Sequence, residues 1–194
     1  MAGDVEQRIL AAFSHLLIQN GYQGTTTKKI AQAAQVNEST LFRHFKDKYS
    51  ILQQLVAEYR QDIQTVGDNY QLVGDIEKDI MNFSVIYQGF IEQHLALFLT
   101  GIRESQKLPE LKKVIKSLLD LIRNILEEKF AQMQNNGEIA QDIDLKVEID
   151  NLILLNLGQA IMQHSFPDSL FQIQPQEFVQ NNIRTYADHL KPKN

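Results

Sequence analysis

The run Thr25–Leu52, TTTKKIAQAAQVNESTLFRHFKDKYSIL, gathers small polar and basic side chains at helical spacing. Its chemistry is that of contact with a nucleic acid. Thr25, Thr26, Thr27 and Lys28 stand at the start of one helix. Hydroxyls, an ammonium group and free backbone N–H groups can donate to phosphate oxygens there. Asn37, Glu38, Ser39 and Thr40 lead a second, shorter helix. Glu38 can accept from a cytosine amino group, and Thr40 can touch a thymine methyl. Arg43 can read guanine or bind phosphate, His44 is open between roles, and Lys48 opens a further helix toward phosphate. Each residue also has a plainer use. Lys46 and Lys48 fit a solvated surface, Thr26 and Thr27 fit helix caps, and Glu38 fits a helix dipole. The run as a whole tips the balance, because Ile30, Ala31, Ala34, Leu41 and Phe45 all fall where a three-helix unit needs its core.

Helices must position these side chains, and the periodicity predicts an all-α chain. The first helix runs from about Asp4 to Asn20, with Ile9, Phe13 and Leu17 on one face and Gly21 after its end. The second starts at Thr26 or Thr27 and ends near Ala34. Val36 plugs the following turn. Gln35 falls where the chain needs a left-handed conformation, which costs a non-glycine residue about 1 kcal/mol. Asn37 caps the third helix, which is too short to be stable without packing. A fourth helix follows Asp47 and reaches about Val66, where Gly67, Asp68 and Asn69 break it. Further helices are predicted over about Asp75–Leu99, Ile102–Gln106 after a turn at Gly101, Pro109–Gln134, Lys146–His164 and Gln176–Leu190. A loop is expected around Pro167.

The net charge of −5 is unevenly spread. Residues 1–60 hold seven of the 19 Lys and Arg but only five of the 24 Asp and Glu, so the N-terminal part is basic and the remainder acidic. That suits a molecule whose first part faces phosphate. The chain contains no Cys, which excludes disulfides, thiolate metal sites and cysteine nucleophiles and is compatible with a reducing compartment. The start MAGDVEQRIL lacks the pattern of a signal peptide. Phe83–Ile102 is too interrupted by polar residues to span a membrane. The sequons at Asn37 and Asn82 are chance matches on that reading. The expected location is the cytoplasm.

From Ile30 onward the run resembles the tetracycline-repressor (TetR) family of bacterial regulators. Ile30, Ala31, Ala34, Val36, Leu41, His44, Phe45, Lys48 and Leu52 agree with the family pattern. Departures are Gln35 for Gly, Asn37 for Ser, Ser39 for Gly, Phe42 for Tyr and Tyr49 for Glu. Phe42 lacks the hydroxyl that in the family usually reaches phosphate. The resemblance implies a DNA-binding domain over 1–49 and a helical ligand-binding and dimerisation domain over 50–194.

In the second part, Phe83, Tyr87, Phe90, His94 and Phe98 fall close to one broad face, and later helices add Ile122, Gln159 and Met162. The resemblance implies a small-molecule pocket among them, although for any one of these residues taken alone a packed core is the better reading. Leu152, Leu155, Phe178, Ile183 and Tyr186 give more apolar stripe than a small domain needs. The resemblance implies a two-fold bundle formed there by two helices of each subunit. It also implies a palindromic operator on double-stranded DNA, with half-sites about 34 Å apart or a multiple of that.

Enzyme chemistry has little footing. The sequence has no P-loop, no Gly-rich dinucleotide turn, no H-E-x-x-H, no G-x-S-x-G and no Glu-x-x-His pair. No cofactor or metal is expected. The expected function is a homodimeric repressor released from DNA by a small molecule. The rival readings are a helical ligand-binding protein without sequence-specific DNA binding and an all-α enzyme with an unrecognised site.

Overall fold

Gly21 bends the first helix. Its φ of 67° and ψ of 177° belong to a region open to glycine, so α1 (Ala2–Gly24) turns there and adds a last turn instead of stopping at Asn20. This computed structural model describes residues 2–107, 109–166 and 173–193. Among them all regular structure is helical: α2 (Thr27–Ala33), α3 (Glu38–His44), α4 (Lys48–Asn69), α5 (Ile76–Gln93), α6 (Leu95–Glu104), α7 (Pro109–Asn135), α8 (Leu145–Ser165), α9 (Pro175–Phe178), a π-helical turn (Val179–Ile183) and α10 (Arg184–Leu190). The loop expected around Pro167 lies outside the described residues.

One expected break is shifted and one is absent: α4 runs on past Gly67 and stops at Asn69, within the predicted Gly67–Asn69 stop, whereas α6 continues through Gly101. Gly67 and Gly101 both lie inside helices, α4 and α6. Gly101 has no room for a side chain, and Gly67 is tight. A Cβ on Gly67 would come within 3.1 Å of Ile125, and one on Gly101 within 2.7 Å of Ile115. The helix predicted to continue to Leu99 instead breaks at His94, whose φ of −108° and ψ of 15° end α5 and start α6. Helical periodicity registers which side chains share a face, and a one-residue interruption barely disturbs it.

Packing divides the chain into two compact units, Met1–Gln61 with His94–Leu118, and Asp62–Gln93 with Leu119–Asn194. The expected division after residue 49 falls inside the first unit. The middle of α4 is tied to α1, with Gln7 Nε2 donating to Glu58 Oε1 at 3.0 Å.

The first unit packs α1 against α2 and α6, and α2 against α3. Ile9, Phe13, Leu17, Ile30, Leu41 and Ile51 are completely buried in it. In the second unit α5 packs against α8, the π-helical turn and α10. Its entry is set by the buried Asp79 carboxylate, which accepts from the N–H groups of Val73 (2.8 Å), Gly74 (3.1 Å) and Asp75 (3.3 Å). Asn156 on α8 donates to Ser84 Oγ at 3.2 Å and accepts from Gln88 at 3.4 Å, a satisfied polar pin between α8 and α5.

Candidate nucleic-acid interface

The α2–α3 pair is built to hold one helix outward. Val36 N–H donates to Ala31 O at 2.9 Å and Ala34 N–H to Ile30 O at 2.9 Å, closing the turn onto α2. Gln35 takes the left-handed conformation expected of it, with φ of 54°. Arg8 adds an anchor that periodicity does not reveal: its Nη1 donates to Ala34 O at 3.3 Å, linking α1 to the end of α2. Leu41 and Phe45 then point α3 into the core.

The opposite side of α3 is open. Asn37, Glu38, Ser39, Phe42 and Arg43 are exposed, and Thr40 and His44 are half-buried. Phe42 is 50% exposed, so its ring is open on the same side as these polar groups. Asn37 occupies the N-cap of α3, but its side chain makes no capping hydrogen bond, contrary to the expected cap. Glu38 Oε1 instead accepts from Thr27 Oγ1 at 3.1 Å, joining the starts of α3 and α2. Thr26 caps α2, accepting from Lys29 N–H at 3.3 Å. Lys28 is exposed.

Thr25 and Lys48 differ from expectation. Thr25 is 0% exposed, and its hydroxyl donates to Gly21 O at 2.8 Å and Leu16 O at 3.2 Å. It is spent on closing the end of α1, so it is not available to phosphate. Lys48 is half-buried: Nζ donates to Tyr22 O at 2.6 Å and sits 4.0 Å from the centre of the Tyr22 ring. Burial holds its pKa below the ordinary lysine value, and the nearby Glu104 carboxylate opposes that shift. Asp47 and Ser50 cap α4 reciprocally, Ser50 N–H donating to Asp47 Oδ1 at 2.8 Å and Asp47 N–H to Ser50 Oγ at 3.1 Å.

The residues expected around a ligand divide between the units. In the second, Phe83, Tyr87, Phe90 and Ile122 are buried. Tyr87 stacks between Phe83 and Phe90, with ring centres 5.3 and 6.0 Å away. Its buried hydroxyl has no hydrogen-bond partner among the described residues, and burial raises its pKa far above the ordinary phenol value. Gln159 and Met162 are half-buried, and Gln159 Nε2 donates to Ile173 O at 2.7 Å. His94 and Phe98 belong to the first unit, where they pack on Tyr59 at 5.0 and 5.7 Å.

The expected dimer residues also separate. Leu152, Phe178 and Ile183 are buried within the subunit, where they cannot meet a partner. Leu155 is 37% exposed, and Tyr186 is half-buried with its hydroxyl donating to Glu148 O at 2.5 Å. Val147 and Leu154, not singled out from sequence, are exposed on α8. Among the described residues no helix is long and apolar enough to cross a membrane, and no group of three or more His, Asp or Glu side chains is placed to hold a metal.

Residues 9–55 match the family described as bacterial regulatory proteins, tetR family. Over 165 residues the chain is 28% identical to the uncharacterized HTH-type transcriptional regulator YvkB of Bacillus subtilis (strain 168), covering 80% of this chain and 86% of that protein. The MbdR regulator from Azoarcus sp. CIB has the same fold, with a TM-score of 0.78 at 20% identity over 97% of this chain and 100% of that one. The transcriptional regulator FadR from Bacillus subtilis, solved in complex with stearoyl-CoA, aligns with a TM-score of 0.75 at 18% identity over 93% and 96% of the two chains. The family match falls on α1–α4, the helices that hold α3 with its polar side outward, and over those residues the chain is similar to the bacterial regulatory proteins of the tetR family.

Proposed function

We propose that this chain acts as a homodimeric repressor in the cytoplasm, binding a palindromic DNA operator and leaving it when a small molecule binds. The exposed polar side of α3, backed by the buried Leu41 and Phe45, carries this reading. Ser39, Thr40 and Arg43 contact base edges, with Phe42 offering an apolar surface to a thymine methyl. Thr26, Thr27, Lys28, Lys48 and the start of α2 contact phosphate and set the docking register. Asn37, Glu38 and His44 flank this surface. The functional DNA-binding domain is 1–49 and the regulatory domain 50–194, a division by role that cuts across the packing units.

The partner is a second copy of the chain, docked on the exposed side of α8. Leu155 and Tyr186 belong to that surface, joined by Val147 and Leu154, whose exposure supports the assignment. Two-fold symmetry then matches a palindromic site. The effector is a largely apolar molecule taken up beside Phe83, Tyr87, Phe90 and Ile122, with the free Tyr87 hydroxyl as its polar contact and Gln159 and Met162 nearby. His94 and Phe98, in the other unit, complete the set of side chains to test. A relative in fold was solved with stearoyl-CoA, so acyl-CoA thioesters are the first compounds to try. To switch the protein almost completely, the effector must favour the non-binding state by about 5.5 kcal/mol.

The test is fluorescence anisotropy on duplexes selected by the protein from a randomised pool, with and without acyl-CoA. Sequence-preferring, salt-dependent binding that the ligand weakens is the expected result. Failure to prefer any sequence at moderate salt overturns the DNA reading, and DNA binding indifferent to acyl-CoA overturns the effector class.

A further inference from the structure

The Tyr22–Gln23 peptide is gripped from both edges. On one edge Gln23 N–H donates to Glu104 Oε1 at 3.4 Å, and the preceding Tyr22 N–H donates to the same oxygen at 2.6 Å. On the other edge Tyr22 O accepts from Lys48 Nζ at 2.6 Å, with the ammonium also over the Tyr22 ring. A peptide is planar and stiff, so its N–H and C=O move together. Gly21 makes the grip possible, because a Cβ there would lie 2.6 Å from Glu104 Oε1. Glu104 is the last residue of α6, is buried, and reaches Tyr22 from a helix that packs on α1.

We propose that Glu104 is a positioning residue for DNA contact by Lys48, acting through the Tyr22–Gln23 peptide. The proposal rests on the reading of Lys48 as a phosphate contact. An ammonium has three N–H donors, and the Tyr22 carbonyl uses one. The remaining two are held in place at the start of α4. A free lysine side chain carries about 2 kcal/mol of rotamer entropy, part of which must be lost on binding phosphate. The Tyr22 carbonyl and ring have already restricted Lys48, and Glu104 keeps them where Lys48 needs them. Neighbouring hydrogen bonds on one peptide also polarise each other. Displacing α6 therefore turns the peptide and frees Lys48 to wander, which links the position of α6 to affinity for any DNA sequence.

The experiment is a salt titration of anisotropy on the full chain, using a labelled duplex selected by the wild-type protein from a randomised pool. Lys48→Met should weaken binding and lower the slope of log affinity against log salt by about 0.9, one phosphate contact. Glu104→Ala and Glu104→Asp, the latter too short to reach, should weaken binding about three- to tenfold and lower the slope by part of the same amount. Glu104→Gln keeps an accepting oxygen and should stay within about twofold of wild type. Combined with Lys48→Met, Glu104→Ala should add nothing. Glu104→Asp carries the test if Glu104→Ala does not fold. Wild-type affinity and slope in folded Glu104→Ala or Glu104→Asp overturn the proposal alone, as do losses that multiply in the double variant. Wild-type behaviour of Lys48→Met removes the phosphate reading and the proposal with it.

Discussion

Helices α3 and α8 show two ways a helix can divide itself between core and surface. α3 has seven residues, buries Leu41, and leaves polar or charged groups over most of the rest. α8 has twenty-one residues and is apolar on more than one side: Leu152 and Ile153 are buried, while Leu154 is 64% exposed and Leu155 37%. A helix with one apolar stripe has only one way to pack. A helix apolar on more than one side has several, and the apolar side that its own subunit leaves uncovered suits another partner. The polar open side of α3 suits a phosphate-rich, hydrated groove. The apolar open side of α8 suits a second protein surface.

Substitutions on the two helices sharpen this contrast. Leu41→Ala and Leu152→Ala each remove a fully buried side chain. Each should cost about 2–5 kcal/mol in urea denaturation at fixed dimer population, and a loss below about 1 kcal/mol for Leu152→Ala would mean that α8 packs the other way round. Leu154→Glu should leave subunit packing intact but weaken association by about 2–4 kcal/mol. Sedimentation velocity reads this directly, and the concentration dependence of Tm should fade with it. An unchanged dimer would sink the α8 assignment.

The next effects are smaller. Gly21→Ala strains a positive-φ residue and pushes on Glu104, for a stability loss of about 1–3 kcal/mol by thermal melting. Thr40→Ala should shift discrimination at one operator position by about 1 kcal/mol, read as a changed preference in binding to a panel of single-base variants. A uniform loss across the panel would make Thr40 a backbone contact. Gln35→Gly relieves the left-handed turn and should gain about 0.5–1 kcal/mol, with DNA preference unchanged.

Much of the fold was legible because helical periodicity and turn residues act locally. The α2–turn–α3 unit followed from Ile30, Val36, Leu41 and Phe45, and the left-handed residue from the position of Gln35. The break at His94 was not legible, since no glycine or proline marks it. Gly101 misled for the opposite reason: it looks like a break, but it lies inside α6 where a Cβ would meet Ile115 at 2.7 Å. In the candidate interface the exposed residues of α3 were readable, whereas the engagement of Thr25 and Lys48 was not. Their partners are backbone carbonyls, which every residue carries and no side-chain pattern reveals.

The sequence by itself determined an all-helical chain, the helix pair that presents Glu38–Arg43 and the basic character of its first part. These follow from spacing and charge along one strand of covalent bonds. Only the tertiary structure decided which apolar residues of α8 and the following helices face inward, that Thr25 is spent on the end of α1, and that Glu104 and Lys48 grip one peptide. Burial and long-range hydrogen bonding depend on which segments meet, and Tyr22 and Glu104 are 82 residues apart in sequence.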